Sequence, residues 1–388
     1  MLLLLLFVSL SFALDLRTAL EKALSSYPEL EALREEEKAI RAKALGYREY
    51  LNPTLTLEVG NFGTSTESAS KNPIRKLSYS QPLLVYPLRE LSSKVVDAEL
   101  SAFEQKVNQA KNRVKAQTYL AFYQALYKRE LLRIAEEDYR ISEELYRFVK
   151  RLYDLGETTK LDYEKAQREL ELSKRELEVA RLEYEKALAE LSLYTNQEVS
   201  ELEGSLEELR SMEDIQPEQT PQVRYYELAI ESLRRSVELE KTLAKPQPSV
   251  ELSAEKVSDY SYGLRFALSS TLPLFYKREV QVLQLTSQMG SLSRLKDLEL
   301  RKTRLELKKV KKSYELLKEQ INRIDQREIP LAKEELALAL KSYRLRVITQ
   351  LELSDVKRRY IQLLRQRAEL LFMAHQEYAQ YLALGGRL

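Results

Sequence analysis

Apolar residues recur along most of this chain at steps of three and four, the spacing of helices that bury one face. The pattern breaks at few places, and the breaks come in the same order twice. A helix predicted over 28–51 is stopped by Asn52-Pro53. Leu55, Leu57 and Val59 then alternate with Thr54, Thr56 and Glu58, the period of a strand with one apolar and one polar face. Gly60 to Asn72 is turn-like, after which Leu77 and Tyr79 alternate with Ser78 and Ser80 up to Pro82. A long helical pattern follows from about Leu88 to Tyr153.

The second half repeats this grammar. A helix over 222–244 follows Pro221 and stops at Lys245-Pro246. Val250, Leu252 and Ala254 alternate with Ser249, Glu251 and Ser253. After a polar turn near Ser258-Asp259, Tyr262, Leu264, Phe266 and Leu268 alternate with smaller or polar neighbours up to Pro273. Pro28 to Pro53 and Pro221 to Pro246 are equally spaced, so the chain is an internal duplication. The first repeat is 14–221, with a β-hairpin over 53–84 and a helical hairpin over 88–195. The second is 222–388, with a β-hairpin over 247–273 and a helical hairpin over 277–384, its first arm broken near Ile329-Pro330. The hairpin tips fall at Asp154 to Thr158 and at Arg346 to Thr349. Residues 196–221 are acidic, hold Gly204, Pro217 and Pro221, and read as a surface segment laid against the helices.

The helices carry more than one seam. Over 159–195, Leu170, Leu177, Tyr184 and Leu191 alternate with Ser173, Ala180, Ala187 and Tyr194, a coiled-coil heptad, and Leu172, Val179 and Leu193 form a second row. The last helix has Val356, Leu363 and Leu370 in one row and Leu364, Leu371 and Tyr378 in another. A helix in a ring needs a seam for each neighbour. At about 1.5 Å per residue, the helix over 88–153 is roughly 100 Å long, which suits the wall of a tube.

Four strands of roughly ten residues have the length that crosses a bilayer at a tilt. Tyr79, Tyr262 and Phe266 on their apolar faces, and Tyr86, Phe275 and Tyr276 beyond them, suit a membrane interface. Open sheet edges are not tolerated in hydrocarbon and the smallest outer-membrane barrels have about eight strands, so four strands require oligomerisation. Two copies supply eight strands and three supply twelve.

Composition narrows the class. With 31% charged residues, 9 Gly, 11 Pro and no Trp, the chain has the make-up of long helices. A net charge of +2 supplies no field that gathers nucleic acid. The apolar run from Leu2 to Phe12 is too short to span a bilayer and ends in Ser11-Phe12-Ala13, so residues 1–13 are expected to be a secretory signal, although no Lys or Arg precedes the run. No later stretch is apolar enough for a transmembrane helix, which leaves strands as the only route through a membrane. One histidine, His375, and no cysteine give no metal site or nucleophilic triad on the usual residues, and no phosphate-binding glycine loop follows a strand. No cofactor and no enzymatic activity are expected.

The residues resemble the TolC family of outer-membrane efflux channels over essentially all of the mature chain. The resemblance rests on the order of elements, on Leu16 to Leu20 with Tyr27-Pro28-Glu29-Leu30, and on Leu51-Asn52-Pro53. It extends to Tyr153-Asp154-Leu155-Gly156, Ile329-Pro330 and Ala383-Leu384-Gly385-Gly386. It implies a mainly α fold with a small β part: a homotrimer with a twelve-stranded transmembrane β-barrel above an α-barrel of coiled-coil hairpins in the periplasm. The implied function is the exit duct of a tripartite efflux pump or secretion system, passive and energised by an inner-membrane transporter through a periplasmic adaptor. Outer-membrane lipid is the surrounding medium.

By position, the resemblance makes Glu352 and Asp355 a constriction ring of six carboxylates in three copies, with Tyr343 as a latch partner. Adaptor contacts fall on Leu155, Gly156, Glu157, Thr158, Arg346, Val347, Ile348 and Thr349. Two departures stand out: Arg346 replaces the tip glycine, so a different turn is expected there, and Ile348 stands where some members have a basic gating residue. The competing reading is a soluble periplasmic coiled-coil scaffold or adaptor whose hairpins never enter a membrane; the duplicated two-faced strands favour the channel.

Overall fold

The computed structural model describes residues 13–48, 51–60, 74–258 and 261–387. Nearly all of the expected signal segment and the turns near 61–73 and 259–260 lie outside the described residues. The order is α1 Leu16–Ser26, α2 Pro28–Arg48, β1 Thr54–Gly60, β2 Ile74–Pro82, α3 Leu88–Asp154 and α4 Lys160–Thr195. It continues with α5 Pro221–Leu243, β3 Gln247–Ser258, β4 Ser261–Thr271, α6 Glu279–Arg323, α7 Ile329–Arg344 and α8 Gln350–Ala383. No described helix is long and apolar enough to cross a membrane.

Two compact units each draw on both halves of the sequence: 33–106 with 222–300, and the remainder. The first holds the four strands in one antiparallel sheet, in the order β1-β2-β3-β4. β2 starts at Ile74 and β3 runs to Ser258, so both are longer than the alternation alone marks out.

In the second unit, a continuous core joins α1, α3, α4, α6, α7 and α8 around Tyr119, Phe122, Leu191, Leu371 and Tyr378. One row of the α4 heptad is inside, with Ser173, Ala187 and Leu191 buried, whereas Leu172, Val179 and Leu193 are exposed. The expected break before α7 is a π-helical turn over Ile324–Glu328, not an interruption. Pro330 lacks an N–H and cannot close an ordinary helical bond, and a single wider turn absorbs that loss. Asp325 in this turn is gripped by Arg367, whose guanidinium also reaches Glu207 at 2.7 Å.

The acidic stretch after α4 is fastened at many points. Leu14 bridges it in parallel at Leu202, and Arg129 donates to the Leu202 carbonyl at 2.8 Å. Lys311 pairs with Asp214 at 2.7 Å and Arg304 with Glu218 at 3.0 Å.

Candidate functional site

The sheet is turned inside out relative to that of a water-soluble protein. Across the ladder, Leu55, Tyr79, Leu252 and Phe266 stand in one row and Leu57, Leu77, Ala254 and Leu264 in the next, all on the same face. That face is bare: Leu264 is 82% exposed and Phe266 71%. The opposite face carries the rows Thr56, Ser78, Ser253, Arg265 and Glu58, Lys76, Glu255, Gly263. There the serines are sheltered, with Ser253 2% exposed, and Lys76–Glu251 and Arg265–Glu255 pairs at 3.1 and 2.7 Å bridge the strands. Water favours the reverse arrangement, since apolar area left in contact with it forfeits roughly 25 cal/mol per Å². Past the strands, Val85, Leu274 and Tyr276 are exposed and Phe275 is wholly so, extending the apolar surface towards the helices.

The two helical tips are built alike. At the first, Gly156 takes the left-handed conformation at φ 73°, its N–H donates to the Tyr153 carbonyl at 2.9 Å, and that of Glu157 to Leu152 at 2.8 Å. At the second, Arg346 has φ 61°, and Arg346 and Val347 donate to Tyr343 and Ser342 at 2.9 and 2.8 Å. The different turn expected from Arg346 is therefore not found: both ends close with the same helix-terminating pair of bonds. Thr159 and Thr349 then cap the returning helices, each accepting from the N–H three residues on.

Arg346 also pairs with Glu157, joining the tips, while Leu155 and Val347 are exposed at their ends. Thr158 is half-buried, and its hydroxyl lies 3.4 Å from Asp162. Ile348 is half-buried and packs, with Tyr343, on Leu145, Val149 and Leu353.

Glu352 and Asp355 both line an open cleft of about 960 Å³ beside α8. Each is already engaged. Glu352 completes a capping box, accepting from the Thr349 N–H at 2.7 Å and hydroxyl at 2.9 Å, and these bonds hold its carboxyl below the usual range. Asp355 is held low by Arg358, with Arg359 at 3.1 Å. Tyr343 meets Phe148 edge-to-face at 5.8 Å, and burial raises its phenol. Sequence reasoning puts Glu352 and Asp355 three apart on one helix; it does not give their arginine partners.

It also passed over a buried cation. Lys357 lies 3.1 Å from Asp138, 2.6 Å from Glu169 and 2.8 Å from the Ser142 hydroxyl, so one side chain ties α8 to α3 and α4. The signal was available, since Lys357 falls in the buried row of Leu353, Ile361 and Leu364.

This architecture has the fold of solved outer-membrane channels. The chain aligns with CusC at TM-score 0.80 and 17% identity, covering 97% of this chain and 94% of that one. It aligns with the CmeC outer membrane channel of Campylobacter jejuni at 0.75 and 14%, covering 95% and 85%. For the open state of the Neisseria gonorrhoeae MtrE outer membrane channel the values are 0.77 and 18%, covering 95% and 88%. Residues 19–197 match the family model of outer membrane efflux proteins, and the likeness to solved channels extends the shared fold through the second half. No curated protein matches it in sequence.

Proposed function

We propose that this chain is the outer-membrane exit duct of a tripartite efflux pump or secretion system: a homotrimer whose twelve strands close one barrel and whose helices form a periplasmic tube. In this reading, residues 1–13 direct export, and the two repeats supply equivalent hairpins to the ring. The duct is passive. An inner-membrane transporter supplies the energy, and a periplasmic adaptor docks on the tips, where Leu155 and Val347 present apolar surface beside Glu157 and Arg346.

The inverted sheet carries this reading. An apolar face left bare, a sheltered polar face and two unpaired edges make sense together in a wall with lipid outside and water inside. The same fold in solved outer-membrane channels supports it.

Fractionation tests it. The duct requires detergent for extraction, sediments as a trimer, and gives stepwise conductance in planar bilayers. Release by salt alone as a monomer would return the chain to the class of soluble periplasmic scaffolds.

A further inference from the structure

Charge on the four strands is sorted by face. Every acid of the described strands, Glu58, Glu251 and Glu255, lies on the sheltered polar face, where Lys76 and Arg265 pair with two of them. The other two bases of the strands, Arg75 and Lys256, fall on the bare apolar face. Arg75 stands opposite Val59 and Lys256 opposite Tyr262, in register with the leucine rows. Lys76 faces Glu255, so one step further along the same antiparallel register Arg75 faces Lys256. No acid of the described strands shares their face. Like charges side by side on adjacent strands repel, so this pair marks a place where an anion from outside the chain lowers the energy.

The height of the pair is as informative as its sign. Val59, Arg75, Lys256 and Tyr262 make up the row nearest the strand ends that lie away from the helices. Along β4 the outward positions from Tyr262 to Leu272, just past the strand, are apolar except for Ser270. At about 3.4 Å per residue and a tilt of about 40°, that run rises roughly 26 Å, the height of the apolar band on an outer-membrane barrel. Arg75 and Lys256 therefore sit at its edge, level with lipid headgroups. Tyr262, exposed beside them, has a ring suited to the acyl boundary and a hydroxyl suited to a polar group above it. With the helices on the periplasmic side, this edge lies in the outer leaflet.

We propose that Arg75, Lys256 and Tyr262 bind the phosphate of an outer-leaflet lipid headgroup, one site per chain. The planar Arg75 guanidinium donates to two phosphate oxygens, the Lys256 ammonium sets a second positive charge beside them, and the Tyr262 hydroxyl donates to a third oxygen. The acyl chains of that lipid lie over Leu57, Leu77 and Leu264, the next row along the same face. Two bases answer a phosphate monoester, which carries close to about two negative charges near neutral pH, better than a zwitterionic headgroup. This rests on the channel reading above and adds to it a lipid of defined chemistry.

Native mass spectrometry of the detergent-extracted trimer tests the site, with lipid A carrying both its phosphates as the probe. The parent is expected to bind one molecule per chain. Arg75→Gln combined with Lys256→Gln is expected to bind at least tenfold more weakly while keeping the sedimentation and circular dichroism of the parent. Enzymatically dephosphorylated lipid A is expected to bind the parent as weakly as the intact lipid binds the double variant. Lys245→Gln, which removes a base over the Tyr86 ring at the opposite end of the strands, is expected to bind like the parent. Equal binding by parent and double variant, equal binding of the dephosphorylated lipid, or an equal loss in Lys245→Gln would each overturn the site and leave the channel reading intact. Displacement of the lipid by an equal concentration of inorganic phosphate would overturn it too, by showing a site for free phosphate. A chain that is monomeric and free of the membrane would overturn both readings.

Discussion

His375 shows how much a single buried side chain can fix. It is fully enclosed, its Nδ1 lies 2.8 Å from the Tyr119 hydroxyl, its Nε2 lies 2.9 Å from the Leu206 carbonyl, and its ring stacks on Tyr123 at 3.5 Å. Burial lowers its pKa from 6.5 to about 4. The native state therefore refuses a proton that the unfolded chain accepts below 6.5, so this contribution is complete above that pH and declines as pH falls towards 4. The slope is about 1.4 kcal/mol per pH unit, or roughly 3 kcal/mol over the window. Chemical unfolding at pH 7.5 and 4.5 should show His375→Gln losing less stability than the parent between the two.

Lys357 sets the opposite problem. Removing the cation leaves Asp138 and Glu169 facing each other without it, so Lys357→Met should cost about 3 kcal/mol in urea unfolding. Adding Asp138→Asn and Glu169→Gln to that variant should recover most of the loss.

At the level of elements, the two tips offer a matched comparison. Gly156 and Arg346 occupy the same left-handed position, which costs a side-chain-bearing residue about 1 kcal/mol. Gly156→Ala should lower thermal stability by that amount. Arg346→Gly removes the same strain but loses the exposed pair with Glu157, a contact of at most about 1 kcal/mol, so its melting temperature should barely move. The strands, the proline stops and the hairpin tips were legible because alternation and turn chemistry are local. The ends of β2 and β3 were not, because Arg75-Lys76 and Glu255-Lys256 look like loop in sequence and become strand only through the ladder and its cross-strand ion pairs. The position of Lys357 in an apolar row was legible but its partners were not, since Asp138 and Glu169 are more than 180 residues away in sequence.

For the whole molecule, the sharpest question is what the proposed constriction does to ions. Resemblance alone suggests six carboxylates and a cation-selective pore. Each Asp355 carries Arg358 and Arg359 beside it, however, so Glu352, Asp355 and the two arginines sum to zero in each chain. A neutral ring with alternating charges selects weakly, and its sign depends on which groups remain. Glu352→Gln is a clean probe, because glutamine still completes a capping box while losing the charge. Together with Asp355→Asn it leaves Arg358 without its acid and Arg359 with only Glu335 at 3.8 Å, a net gain of positive charge in each of three copies. The reversal potential across a KCl gradient in planar bilayers should then change from near zero or slightly cation-selective to anion-selective. A potential identical to that of the parent would place these four residues away from the conducting path, whatever the pore's narrowest point is.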